Sequence, residues 1–124
     1  MKLEVIIEDR IYHIEISDEV LQEGEEFFRK MDADMSRGWQ MGPEFVEHPD
    51  VMQRCQIAAN KLMVSIGAEN SLMAELMAGY ILRRLPGVVS VTADTDGEML
   101  NTEFRFAAGA GSIKTGSTKQ PSNE

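Results

Sequence analysis

The sequence predicts an α+β domain of order ββαααββ: a four-stranded, mostly antiparallel sheet, made of an N-terminal and a C-terminal hairpin, with about three helices packed on one face. Three observations carry this. Residues alternate near both ends of the chain, helical periodicity fills the stretch between, and 124 residues suit one hydrophobic core. The domain is expected over residues 1–106, with 107–124 as a flexible low-complexity tail.

The first hairpin rests on Leu3, Val5 and Ile7, then a polar break at Glu8, Asp9 and Arg10, then Tyr12, Ile14 and Ile16. Ser17 is a helix N-cap in pattern, and Asp18 and Glu19 put negative charge at the positive end of the helix dipole. Val20, Leu21, Phe27, Phe28, Met31 and Met35 recur at helical spacing, and Gly38 is the expected terminator. Trp39, Gln40, Met41, Gly42 and Pro43 cannot continue a helix and read as an ordered loop, with Trp39 and Met41 turned back onto the core.

Pro49 suits the first turn of a second helix, whose apolar stripe runs through Val51, Met52, Cys55, Ala58, Ala59, Leu62 and Ile66 to Gly67. Between Leu72 and Leu82 the one charged residue is Glu75, so a third helix there must be buried on several sides, in the core or against another subunit. Arg83 and Arg84 favour its C-terminal end, and Pro86 and Gly87 close it. Residues 88–93 and 102–106 form the second hairpin, joined by Asp94, Thr95, Asp96 and Gly97.

The net charge is −9, and residues 1–50 hold fourteen acidic and five basic side chains against seven of each in the remainder. An acidic surface repels phosphate backbones, so direct nucleic-acid binding is disfavoured unless the acidic half imitates nucleic acid towards a basic protein. No stretch is long and apolar enough for a membrane span, and Glu4 and Glu8 interrupt the start of the chain where a secretory signal needs an uncharged run. A cytoplasmic, reducing location is expected, since the single cysteine, Cys55, cannot form an internal disulfide.

Residues 92–103 resemble a calcium loop in part, with Asp94 and Asp96 at the third and fifth positions, Gly97 at the sixth and Glu103 at the twelfth. Thr92 stands where a charged ligand belongs, and strands rather than helices flank the loop, so a plain turn explains the same residues. His48, Met52 and Cys55, spaced by four and three, would share one helix face and offer an imidazole, a thioether and a thiol suited to Cu(I). Met52 and Cys55 equally belong to the apolar stripe, where methionine and buried cysteine are ordinary core residues. No glycine loop for phosphate, no nucleophile elbow and no organic cofactor motif is present, and His13, His48 and Tyr80 remain the polar groups from which a pocket could be assembled.

The run Leu85, Pro86, Gly87, Val88, Val89, Ser90 and Val91 resembles the helix-to-strand junction of small ferredoxin-like domains, metallochaperone domains among them. Those metallochaperones carry metal on a paired-cysteine loop, which one cysteine cannot supply, so the resemblance implies a fold and no more. The leading functional expectation is a non-catalytic interaction or regulatory module, a homo-oligomer with a basic protein partner. Asp18, Glu19, Glu23, Glu26 and Asp34 would form its acidic face, with Trp39 and Met41 as apolar anchors.

Overall fold

The alternating stretches form strands because period-two patterning buries one face of each and leaves the other wet. In the computed structural model, which describes residues 1–107, β1 (Lys2–Ile7) and β2 (Arg10–Glu15) are an antiparallel hairpin, and β5 (Val88–Ala93) and β6 (Glu103–Phe106) are another. The expected tail lies outside the described residues, apart from Ala107. The strand order is β2-β1-β5-β6, and β1 runs parallel to β5, with Val5 opposite Val91. The sheet is therefore mixed. This corrects the mostly antiparallel expectation: the two hairpins meet through a helical crossover, which returns the chain in the same direction.

Four helices cover one face of the sheet, where three were expected. The first expected helix is two, α1 (Asp18–Glu23) and α2 (Glu25–Met35), divided at Gly24. A β-carbon there would lie 2.7 Å from the Val20 carbonyl oxygen and 3.0 Å from the Phe28 ring, so the junction packs too tightly for any side chain. The expected loop contains a two-residue hairpin, β3 (Trp39–Gln40) and β4 (Phe45–Val46). Gly38 and Gly42 stand on either side of β3 with φ of +114° and +116°, a region that suits glycine.

α3 (Val51–Gly67) starts with a capping box: the Asp50 carboxylate accepts from the Gln53 amide at 2.8 Å, and the Gln53 side chain accepts from the Asp50 amide at 2.9 Å. Pro49 thus precedes the helix rather than opening it. α4 (Ser71–Arg84) is the central helix, and Ala78, Tyr80 and Ile81 on it are wholly inaccessible. It packs against α3, α1 and β2, so most of its apolar circumference is covered within the chain. Leu3, Val5, Phe28, Ile57, Leu62, Met77 and Val91 complete the core between sheet and helices.

The other face of the sheet is open. Register places Glu4 beside His13 and Ser90, Ile6 beside Ile11 and Thr92, and Ser90 beside Arg105 on that face.

Candidate functional site

The acidic surface begins at the α1 N-terminus, where the Ser17 hydroxyl accepts from the Val20 amide at 3.1 Å and Asp18 and Glu19 occupy the first turn. Asp18, Glu19, Glu23, Glu26 and Asp34 are all exposed. Among the described residues none of them has a cation within ion-pair distance, and the exposed Lys30 lies one helical turn from both Glu26 and Asp34. Phe27, one helical turn beyond Glu23 and next to Glu26, is 37% exposed on this surface. Its place in the apolar stripe concealed this: Phe27 and Phe28 are adjacent, successive helical residues point about 100° apart, and Phe28 takes the core.

The two expected anchors differ in exposure. Met41 is 1% exposed, with its amide bonded to the Glu44 carbonyl and its carbonyl accepting from the Met99 amide, so it belongs to the core and not to a binding surface. Trp39 is half-buried, and the Lys61 ammonium from α3 stands 4.9 Å over its ring.

A polar cluster ties the helices together behind the acidic surface. Asp32 on α2 accepts from the Tyr80 hydroxyl and, at 3.0 Å, from Arg84 Nε, both on α4. Arg84 Nη2 also reaches Glu25 at 3.3 Å. Arg54 Nε on α3 lies 3.1 Å from Asp32 without hydrogen-bond alignment, while its Nη1 donates to the Pro49 carbonyl at 2.9 Å. Burial, followed by the neighbouring Asp32, pushes the Tyr80 hydroxyl well above its usual range. Burial opposes the charge on Arg84, but Asp32 and then Glu25 outweigh it and hold the guanidinium more firmly protonated than usual. Two cations balance two carboxylates here, which makes the cluster a clasp between helices, with both Asp32 oxygens and Glu25 Oε2 engaged from within.

The expected soft-metal residues stand in three different environments. His48 is exposed ahead of the α3 cap, Met52 is half-buried and Cys55 is wholly buried. Burial pushes the Cys55 thiol far up, so it stays protonated and is a poor ligand. In the 92–103 turn, the Asp94 carboxylate is spent on the amides of Asp96 at 3.0 Å and Glu98 at 2.7 Å, and Glu103 stands on β6. A 3-10 turn (Met99–Asn101) follows. Among the described residues no group of three or more His, Cys, Asp or Glu side chains is placed to hold a metal ion. His13, His48 and Tyr80 also lie on separate elements: the open sheet face, the approach to α3, and the core side of α4.

A cleft of about 320 Å³ opens between β2 and the α3–α4 corner, and His13 and Tyr12 line it. It combines the apolar Ile14, Ile66 and Ala74 with the carboxylates Glu15, Glu69 and Glu75. Among the described residues no helix is long and apolar enough to cross a membrane. No protein-family model, curated protein or solved structure matches the chain, so its residues alone carry the functional reading.

Proposed function

We propose that the protein is a non-catalytic interaction module that binds a basic protein partner through the carboxylates of α1 and α2. The supporting observation is the contrast between two sets of acids on the same helices. Asp32 and Glu25 are neutralised by arginines inside the molecule, whereas Asp18, Glu19, Glu23, Glu26 and Asp34 are exposed and unpaired among the described residues. Exposed like charges repel one another and favour an opposing surface that relieves them, with the exposed Phe27 ring as an apolar contact.

The reading is tested by capturing partners from native extract with the wild type and with the triple variant Glu19→Lys, Glu23→Lys, Glu26→Lys. Stoichiometric partners retained at low salt, released at high salt and absent with the variant are expected. The same proteins retained by both, or none by either, would refute it.

A further inference from the structure

We infer that β2 is a docking edge, to which an extended basic segment of a partner protein adds as a fifth strand. This rests on the reading of the chain as a binder of basic partners, and it places the contact on a different surface.

The register identifies the free backbone groups. Met1 and Ile16 exchange both of their hydrogen bonds, the Ile16 amide to the Met1 carbonyl at 2.7 Å and the Met1 nitrogen to the Ile16 carbonyl at 2.8 Å. Bonded pairs recur at every second position of an antiparallel ladder, so Leu3 with Ile14, Val5 with Tyr12 and Ile7 with Arg10 are the bonded pairs that follow. The amides and carbonyls of Ile11, His13 and Glu15 consequently point away from β1. β2 is the terminal strand of the sheet, and among the described residues nothing pairs with these groups. The next outward amide, Ser17, is already taken by the Glu75 carboxylate at 3.0 Å, which marks where the free edge stops.

Apart from the charges of Arg10 and Glu15 at its two ends, this edge lacks the usual protections. β2 has six residues without proline or bulge, and Ile11 is 58% exposed on it. The opposite edge, β6, has four residues. The cleft lies alongside the C-terminal half of β2, so a strand added there would set alternate side chains against Ile14 and Ile66.

Charge selects the occupant. Glu15, Glu69 and Glu75 line the cleft, and Asp18 and Glu19 follow directly on β2. Glu15 has the Met1 amine at 3.8 Å, and Glu69 makes no ion pair among the described residues. A lysine- or arginine-bearing strand meets opposite charge there.

The test uses the full chain, isotope-labelled, and an alternating lysine–valine peptide about eight residues long, a common strand length. Binding at low salt is expected, with slowed exchange at the amides of Ile11, His13 and Glu15. It should weaken at least about tenfold for the matching glutamate–valine peptide and for His13→Pro, which removes an outward donor and no internal sheet bond. If that variant fails to fold, Glu15→Lys with Glu69→Lys must show the same weakening. No binding by the wild type would overturn the inference. So would peptide-induced changes confined to α1 and α2, which would leave the proposed function standing. A concentration-dependent dimer dissolved by His13→Pro would assign the edge to a second copy and likewise overturn it.

Discussion

The same chemical pattern occurs twice in this molecule, on opposite sides of the sheet. Among the helices, the Asp32 carboxylate accepts from a tyrosine hydroxyl and an arginine; on the open sheet face, the Glu4 carboxylate accepts from the Ser90 hydroxyl at 2.8 Å and from Arg105 at 3.0 Å. The surroundings differ. Arg84 and Arg54 are 18% and 20% exposed in their side chains, whereas Arg105 is 66% exposed. A carboxylate that accepts from a sheltered guanidinium and a phenol, with a second guanidinium beside it, is structural, because losing it strands the phenol and leaves two cations short of counter-charge. One that meets a solvated arginine is close to interchangeable with water.

This comparison is open to direct attack. Asp32→Ala should have the largest effect, a loss of about 3 kcal/mol in urea denaturation, because it takes the acceptor from the Tyr80 hydroxyl and Arg84 Nε and the neighbouring negative charge from Arg54. A loss no greater than that of the sheet-face variants would erase the distinction. Tyr80→Phe removes one donor and keeps the ring that meets Phe28 edge-on at 5.9 Å, so a loss of about 1 kcal/mol is expected.

At the sheet face, Glu4→Gln should show its effect through pH. The Ser90 hydroxyl lowers the Glu4 carboxyl, burial opposes, and Arg105 and His13 lower it further. A carboxyl lowered in the folded state contributes stability that is present above its ordinary value and is lost as pH falls through the lowered one. The wild type should therefore exceed Glu4→Gln in thermal stability at neutral pH, with the gap closing in acid; a gap that widens in acid would contradict the assigned contacts. Arg105→Ala should be smallest, within about 0.5 kcal/mol, as solvated ion pairs are.

Much of the fold was legible because it depends on local patterning. Alternation located both hairpins, residues 88–93 coincide with β5, and the apolar run of residues 72–82 marked the central helix. The α1–α2 break was not legible, since a glycine inside a helical pattern is compatible with continuation, and only the packing of Phe28 decides against it. Nor was the parallel β1–β5 contact, because pairing direction depends on the whole crossover.

At the candidate site, the exposed acids stand where helical periodicity puts them; Phe27, placed in the apolar stripe, is exposed, and Met41, expected both on the core and as an anchor, is in the core. The Asp32 cluster was missed although it had a signal: Tyr80 and Arg84 are four apart on one helix, and Glu25 and Asp32 seven apart on another, so each pair shares a face. Arg84 has the local pattern of a helix-end charge, and nothing local ties it to residues some fifty positions away.

The parallel β1–β5 pairing also has a consequence for synthesis. During translation the β1–β2 hairpin leaves the ribosome long before β5, which must supply its other neighbour, has been made. Until then the inner edge of β1, where the backbone groups of Glu4 and Ile6 point away from β2, has no permanent partner in the nascent chain, so vectorial folding cannot close the sheet early. A polypeptide arrested before Val88 should be recognised by chaperones as unfinished, however well its helices have formed.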